Sequence, residues 1–589
     1  MNDNGKKNKN EITGKILHFA QDSSFYVKRG DVKRAQNDLL SAISLYTEAL
    51  EKDPDDLDTR LSAAEVLTDM ARFNDSNRML IPYMHLDAEF KKDAYCMVGF
   101  NLMGLGEFEG AKACFDRFFE LTDEVSERTD AMLDAIDYID SLDEDEPALS
   151  DASVVRRNAA LKKADEAFTR GDFDQAAQLY GGLYKDYPDD PNVIYQLALS
   201  CLCCHREEEG AAYLEKLIET DGNNWTALSL KLMYAKGMKN EIEMAKVAKQ
   251  LEKCDSDQPD ALLRVNGALV EAGSFDAALR VALRLVKLMP YDALANHRLA
   301  VTYMKMREFS KAARVYDKLL RIDKNDYIAR FYRNACMEAD KDPSAAQIGA
   351  RAIIHYQLPV ESIIIRARSL LVSDDVTAEA LFDRWRDDAA FRDTVRWAFT
   401  LNEFNVSYAM LSMLRMVNDA NAVRLIREVV ADVDANRSLV NEAMGALKRM
   451  NADEPFFALI NGSLIEGRVS IVDLSDTKIP KNYASIFPRF SKTAGPFYSG
   501  EVISAAAGII ERFLAELKSG FPRITLEQSK ALSAALEAAA CQQTDTDVRT
   551  DITTRYGITE RRLMNAFDRL LSTVMLGYER NGEDKGDGE

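Results

Sequence analysis

The side chains best suited to metal or redox chemistry stand in one short segment, Cys201-Leu202-Cys203-Cys204-His205. On a helix, Cys201, Cys204 and His205 would share one face, where a soft metal ion could bind. A structural zinc site usually draws its ligands from two separated pairs, and no second pair of cysteine or histidine residues stands in register nearby. We therefore interpret these thiols as packing or surface residues and expect no metal ion.

Motifs of catalysis and cofactor binding are absent from the rest of the sequence. The five histidines lie outside HExxH, HxH and cysteine–histidine nucleophile contexts. No GxGxxG or Walker-type glycine run occurs, so no loop that cradles phosphate groups is predicted. We expect no catalytic residue and no cofactor, and we predict that the protein is not an enzyme.

The acidic balance of the chain limits its partners. The 589 residues include 75 Lys and Arg against 96 Asp and Glu, so the surface as a whole does not suit nucleic acid or an anionic membrane. No stretch approaches the roughly 18 consecutive apolar residues that cross a bilayer. Residues 1–10 lack an apolar signal-peptide core, and eight scattered cysteines favour a reducing compartment. We expect a cytoplasmic protein with no membrane partner.

The elements that would position a site are helices in a repeating frame. One pattern of glycine, aromatic, alanine and proline residues begins at Gly171 and again at Gly273, which is 102 positions later, or three times 34. The same frame holds through units that begin near Arg157, Pro191, Trp225, Pro259, Ala293 and Tyr327. A further copy in the amino-terminal third includes Gly106, Phe108, Ala111, Phe115 and Phe118.

These residues resemble the tetratricopeptide repeat (TPR) family over roughly residues 25–340, apart from one interruption. The resemblance implies two antiparallel helices per unit, with small residues where the helices approach closely and large residues towards the next unit. It also implies a curved stack whose concave face is lined by the first helix of each unit and often binds peptides in the family. The fold class that we predict is all-α, a TPR-type α-solenoid followed by an irregular helical carboxy-terminal region.

The resemblance also implies which side chains would line the concave groove. Those carried over from the family's ligand-contacting places are Tyr195, Gln196, Leu199, Met233, Arg264, His297, Arg298 and Met304. The Lys/Asn set with which some members hold a terminal carboxylate is absent from these places. The remaining mixture of apolar and basic groups suits an amphipathic helix or an extended peptide that carries a few acids. Alternatively, the protein's own helices fill this face.

The interruption and the carboxy-terminal part have less regular patterns. Residues 126–156 combine an amphipathic helix with clustered acids, either a solvated linker or a docking site for a basic partner. Helix-type spacing continues to about residue 460, and a short extended segment is predicted at 468–474. The aromatic residues and prolines of 461–500 favour a connector packed onto neighbouring helices, with a docking or lid segment as the alternative.

Residues 551–563 look like a helix-turn-helix motif, within short helices predicted over 526–541, 546–556 and 560–571. Gly557 would supply the turn, Ile558 would fill the corner, and Thr559 would cap the next helix. If the motif binds DNA, the side chains that would contact it are Arg561, Arg562, Asn565 and Arg569. Thr553 departs from the usual alanine, and arginines barely outnumber acids around the motif. A structural or protein-binding role is therefore favoured over DNA binding.

The predicted organisation has eight parts. They are a frayed amino terminus (1–22), an N-terminal TPR block (23–125), a helix and acidic linker (126–156), a central TPR block (157–343), an irregular helical solenoid (344–460), an aromatic connector (461–500), a helical bundle (501–578) and an acidic tail (579–589). We predict a scaffold or adaptor that binds a protein or peptide of unknown identity in the concave groove. The alternative is a transcriptional regulator that binds DNA through the helix-turn-helix-like segment.

Overall fold

The structure, a computed structural model, describes residues 22–122, 126–145, 152–342, 347–370, 378–401, 403–432, 435–469, 477–517, 520–544, 546–548 and 551–583. The predicted frayed amino terminus (up to 21), most of the extended segment expected at 468–474 and the end of the acidic tail (584–589) lie outside these residues. In the described ranges, the chain is helical apart from turns and one two-stranded hairpin.

The N-terminal block consists of helix pairs followed by one further helix. Its elements are α1 (Ser23–Ala35), α2 (Leu39–Lys52), α3 (Leu57–Asp69), α4 (Phe73–Leu80), α5 (Ala88–Leu105), α6 (Phe108–Leu121) and α7 (Glu127–Asp145). The helices of a pair approach closely at small residues: a Cβ atom on Gly30 of α1 would lie 2.6 Å from the ring of Tyr46 on α2. α7 covers the last pair with the buried side chains of Met132 and Ile139.

The central block contains the regular units. Its helices are α8 (Ala152–Thr169), α9 (Phe173–Asp186), α10 (Pro191–Cys203), α11 (Glu207–Thr220), α12 (Trp225–Gly237), α13 (Glu241–Leu251), α14 (Pro259–Glu271), α15 (Phe275–Leu288), α16 (Ala293–Lys305), α17 (Phe309–Ile322) and α18 (Tyr327–Lys341). From α10 onwards, every first helix begins at the residue predicted from the repeating frame. The frame is therefore confirmed at the level of individual residues.

The backbone repeats with the same period as the sequence. Between the two helices of successive units, the residue with a positive φ angle is Gly171, His205, Lys239, Gly273 and Arg307 in turn. These residues occupy the same place in each unit, although only two of them are glycine. The left-handed conformation that ends the first helix is therefore imposed by the packing of the helix pair, even where the side chain disfavours it.

The irregular solenoid follows the central block. Its elements are α19 (Gln347–Arg351), α20 (Val360–Leu370), α21 (Ala378–Asp387), α22 (Ala389–Phe399), α23 (Phe404–Val417), α24 (Ala420–Val430), α25 (Arg437–Arg449), β1 (Phe456–Ile460) and β2 (Ser463–Gly467). The prediction of helices up to 460 was wrong at the antiparallel hairpin β1–β2. Its turn, Asn461-Gly462, has positive φ angles at both residues, as a type I′ turn requires.

The N-terminal block packs against the end of the central block. α2 packs on α17, and one buried cluster contains Ile43 and Tyr46 from α2 together with Phe309 and Tyr316 from α17. The β hairpin holds the other side of the N-terminal block. Phe457 is buried against α5, where the Tyr95 hydroxyl group donates a 2.9 Å hydrogen bond to Glu466.

The C-terminal bundle consists of α26 (Lys481–Ala484), α27 (Ile486–Thr493), α28 (Gly500–Glu516), α29 (Leu526–Gln543), α30 (Ile552–Tyr556) and α31 (Glu560–Glu583). Tyr483 and Phe490 from the predicted aromatic connector are buried in its core. The helix expected over 546–556 begins only at Ile552, where Asp551 caps α30. A 3.1 Å ion pair between Asp547 and Arg170 joins the bundle to the start of the central block.

Candidate peptide-binding groove

The first helices α10, α12 and α14 present an open stretch of the predicted groove. Tyr195, Gln196 and Leu199 on α10 are partly exposed, Met233 on α12 is 41% exposed, and Arg264 on α14 is exposed. The helices start at equivalent positions of successive units, so these side chains come from equivalent faces. We call these five residues the open half of the groove.

Long side chains converge across the open half. The guanidinium group of Arg264 on α14 donates a 3.0 Å hydrogen bond to the hydroxyl group of Tyr195 on α10, and its carbon lies 5.4 Å from the centroid of the tyrosine ring. Because α12 stands between these helices in the stack, the contact requires side chains that lean towards each other across it. The open half therefore carries a polar bridge between α14 and α10 beside the exposed side chain of Met233.

The other three predicted groove residues are covered by the protein's own chain. His297 is fully buried, Arg298 is 7% exposed, and Met304 is 1% exposed. Residues 352–358, which follow α19 and which we call the strap, lie over α16 without forming a helix. The contacts at this end of the groove are thus intramolecular, and the strap bonds directly to His297.

Hydrogen bonds from α16 and α18 to backbone oxygens fix the strap. The ring of His297 bonds through Nε2 to the carbonyl oxygen of Ile353 at 2.9 Å and through Nδ1 to the hydroxyl group of Tyr316 at 2.8 Å. A carbonyl oxygen only accepts, so Nε2 is the donor and Nδ1 accepts from the tyrosine. Burial lowers the pKa of His297 to about 4, which keeps the ring neutral near pH 7. Tyr332 donates a second bond, 3.1 Å long, to the oxygen of Gln357.

Arg298 has an unusual environment beneath the strap. Its Nε and Nη1 atoms are buried and form no hydrogen bond with the described residues. A Cβ atom on Gly267 of α14 would lie 2.8 Å from Nη1 and 3.2 Å from the Cδ1 atom of Ile354, so the guanidinium group packs closely against this glycine. Burial lowers the pKa of Arg298 to about 10, and the group remains charged at neutral pH.

A hydrogen bond anchors the strap to α18 beside a cluster of carboxyl groups. Tyr356 of the strap donates a hydrogen bond to Asp326, the residue that caps α18. The neighbouring Asp323 lies close to Asp326 and to Asp75 of α4, and burial together with these carboxylates raises its pKa to about 6. The strap, α18 and the N-terminal block therefore meet at a site where carboxyl groups repel one another.

Comparisons with protein families agree with this helix pairing. Residues 161–227 and 295–326 match two family models, both described as tetratricopeptide repeat. The second match covers most of α16 and α17, one complete helix pair. The chain contains tetratricopeptide repeats. No curated protein is detectably similar to it in sequence.

Solved structures with tetratricopeptide repeats show low similarity to the chain. Human IFIT1 bound to m7Gppp-AAAA is 14% identical, with 74% of this chain and 91% of that chain covered and a TM-score of 0.26. The TPR2AB domain of yeast Sti1 in a pHSP90 complex is 16% identical, with coverages of 45% and 98% and a TM-score of 0.20. Yeast Tom70 is 14% identical, with coverages of 73% and 95% and a TM-score of 0.20. Similarity at this level indicates nothing about what this chain binds.

Of the four predicted DNA-contacting residues, three are exposed and the fourth, Arg569, bonds within the C-terminal bundle. Arg561 and Asn565 are exposed on α31, and Arg562 is exposed but forms a 3.3 Å ion pair with Glu527 of α29. Arg569 instead donates a 3.0 Å hydrogen bond to the hydroxyl group of Tyr483 inside the bundle. Gly557, between α30 and α31, has a positive φ angle.

The cysteine cluster lies at the end of α10, within a repeat. Cys201 is buried, and burial raises the pKa of its thiol to about 11, so the thiolate form is disfavoured. Among the residues that the structure describes, no group of three or more His, Cys, Asp or Glu side chains is arranged to hold a metal ion. In the same residues, no helix is both long enough and apolar enough to cross a membrane.

Sequence reasoning misses the strap and the hairpin, although both have local signals. The strap mixes apolar residues with His355 and Gln357, lacks helical periodicity and is followed by Pro359. Asn461-Gly462 between two apolar runs is a strong hairpin signal. Gly267 has no such signal, since nothing in the sequence indicates that it receives the side chain of Arg298.

Proposed function

We propose that this protein is a scaffold or adaptor that binds a segment of another protein along the open half of the groove. The observation that supports the proposal most strongly is that equivalent faces of α10, α12 and α14 carry both the exposed side chain of Met233 and the hydrogen bond between Arg264 and Tyr195. Such a surface offers apolar contact, a cation and hydroxyl groups to a peptide or helix. Tetratricopeptide repeats are typical of protein-interaction scaffolds, which agrees with a non-enzymatic role.

Affinity capture from the native cell extract tests the proposal. We expect the wild-type chain to retain a protein partner that the double variant Tyr195→Ala, Met233→Ala retains at least about tenfold less, since central apolar and aromatic anchors dominate binding energy. Met304 is unsuitable for this test because it is buried and its truncation would leave a cavity.

The matched control is the variant Leu283→Ala, Leu288→Ala on α15, a second helix of a unit. Both leucines are about as exposed as Met233, at 47% and 46%, but they lie on a helix that does not line the groove. Capture unchanged in the control and lost in the groove variant supports the proposal. Equal capture by all three proteins contradicts it.

The alternative function is DNA binding through α31. The exposed side chains of Arg561 and Asn565, with the intact turn at Gly557, are the observations that favour it. Fluorescence anisotropy with genomic fragments at low salt is the direct measurement. DNA binding through this helix predicts an affinity that falls with salt and with Arg561→Ala plus Arg562→Ala. Absence of any anisotropy change with the wild-type protein contradicts the alternative.

A further inference from the structure

Two thiols of the cysteine cluster lie on the same side of α10. Cys201 and Cys204 are three positions apart, a spacing that places side chains on one face of a helix. Cys201 is fully buried in a cluster with Ala164 and Tyr180, and Cys204 packs against the same cluster. The Cys204 sulfur lies 3.5 Å from the carbonyl oxygen of Cys201. Cα atoms at this spacing on a helix are about 5 Å apart, within the range that a disulfide bond spans.

Cys204 is the thiol of this pair that a reagent in solution reaches. It is partly exposed in the turn between α10 and α11, where the neighbouring side chain of His205 is 89% exposed. The guanidinium group of Arg206 donates a 3.4 Å hydrogen bond through Nε to the Cys204 sulfur, and a second through Nη1 to Glu209. A cation beside a thiol favours the thiolate, which is the nucleophile of thiol–disulfide exchange.

The other two partly exposed cysteines differ from Cys204. Arg284 donates to the carbonyl oxygen of Cys254 rather than to its sulfur, and burial raises the pKa of the Cys254 thiol. Burial also raises the pKa of Cys203. A disulfide between the adjacent Cys203 and Cys204 would have to twist the planar peptide bond that joins them. The geometry of the helix therefore makes Cys201 the partner of Cys204.

We propose that Cys201 and Cys204 form a reversible redox pair, in which Cys204 attacks a small oxidant disulfide, such as glutathione disulfide, and Cys201 resolves the product. The Cys204 thiolate bonds to one sulfur of the oxidant, and the other sulfur leaves as a thiolate. Cys201 then gives its proton to that thiolate and attacks the Cys204 sulfur, which releases the second glutathione. The protein loses two electrons as its S–S bond forms, and the oxidant gains them as its own S–S bond breaks.

The burial of Cys201 fixes the order of the two steps. Burial raises the pKa of its thiol to about 11, and the repeat core shields it from a reagent in solution. A mixed disulfide on Cys204 places the electrophilic sulfur within one helical turn, where even a small thiolate fraction reacts at high effective concentration. Because Cys204 remains at the surface, reduced glutathione attacks the oxidised pair again and makes the bond reversible.

Mass spectrometry of the full chain in a glutathione redox buffer tests the pair. After free thiols are alkylated, we expect the peptide with all three cysteines to lack two hydrogen atoms and to carry one alkyl group, on Cys203. Cys201→Ala should leave Cys204 bonded to glutathione. Cys204→Ala, at the surface, should leave Cys201 reduced, and Cys203→Ala should retain the bond. Glutathione on Cys204 as the wild-type end product, or three alkylated thiols at every buffer ratio, overturns the proposal.

The rate at which iodoacetamide alkylates Cys204, followed against pH, tests the role of Arg206. We expect Arg206→Gln to slow the reaction about tenfold near neutral pH and to move its pH profile upward by about one unit. Arg206→Lys, which keeps the charge, should restore most of the rate. Cys254 in the same chain is the internal control and should react equally in all three proteins. Equal Cys204 profiles in wild type and Arg206→Gln overturn the role of Arg206.

Discussion

At the scale of single residues, the turns between paired helices carry backbone strain. His205, Lys239 and Arg307 hold the left-handed conformation that glycine adopts at Gly171 and Gly273. For a residue with a Cβ atom this conformation costs roughly 1–2 kcal/mol. The cost persists because each of these residues lets the chain reverse within a repeat unit of fixed length.

Replacing Lys239 by glycine should therefore stabilise the protein. We expect Lys239→Gly to raise the local free energy of unfolding by about 0.5 kcal/mol. The variant relieves backbone strain in the folded state, and the greater entropy of glycine in the unfolded chain offsets part of that gain. Gly273→Ala is the matched control and should destabilise its unit by about 1 kcal/mol. A Cβ atom at that glycine meets no atom within 4 Å, so its effect comes from the backbone alone. Native-state hydrogen exchange measures both, and a destabilising Lys239→Gly would contradict the account.

Asp323 gives the stability a specific dependence on pH. Burial and the carboxylates of Asp326 and Asp75 raise its pKa to about 6, while Arg396 opposes the shift. A group whose pKa is raised on folding stabilises the folded state below its unfolded pKa, near 4, and loses that contribution as pH rises through 6. At neutral pH, the ionised carboxyl group therefore destabilises the junction between the N-terminal block and α18.

The variant Asp323→Asn should separate this effect from other titrations. Asparagine keeps the shape and removes the charge, so the gain in Tm of the variant over wild type should be larger at pH 8 than at pH 5. On the order of 1 kcal/mol of stability should be gained at the higher pH. Thermal unfolding at the two pH values measures the difference, and a gain that is equal at both would show that Asp323 does not titrate in this range.

At the scale of elements, the β hairpin fastens the N-terminal block to the irregular solenoid. Phe457 is 3% exposed among residues of α5 and α6, while Ile465 on the paired strand is 44% exposed. The hydrogen bond of Tyr95 to Glu466 adds a polar contact at the same place. The hairpin thus joins two parts of the chain that are distant in sequence.

Truncating Phe457 should destabilise the N-terminal block. We expect Phe457→Ala to lower the local free energy of unfolding of α5 and α6 by about 3 kcal/mol, because it removes a buried aromatic side chain and leaves a cavity. Ile465→Ala, on the exposed part of the same hairpin, should cost less than about 1 kcal/mol. Hydrogen exchange of α5 and α6 is the measurement, and equal protection in both variants would argue against the fastening role.

The regular units could be predicted residue by residue from the sequence, whereas the strap, the hairpin and the docking of the blocks could not. First helices at Pro191 through Tyr327 follow from a packing pattern that is local to each unit. The burial of His297 and Arg298 depends on the strap, which belongs to a later part of the chain beyond α18. Apolar residues at helical spacing up to residue 460 led to a predicted helix there, although Asn461-Gly462 is a turn signal that indicates a hairpin. Contacts between blocks that are far apart in the chain produce no repeating pattern in the sequence, so sequence periodicity does not predict them.

At the scale of the whole molecule, the chain folds back on itself at both ends of the central block. The N-terminal block packs on α17, and the C-terminal bundle contacts α8 and its turn through the exposed ion pair of Arg170 with Asp547. The strap fills the groove near α16, next to the first of these contacts. The side chains of the open half, from α10 to α14, are thus left partly exposed by these docked parts.

Hydrogen–deuterium exchange of the full chain, with and without the captured partner, tests this account most directly. The account predicts slower exchange in α10, α12 and α14 on binding, because the partner covers their exposed side chains. Slower exchange confined to second helices such as α11, α13 and α15, or to α31, with no change in the groove, would contradict it.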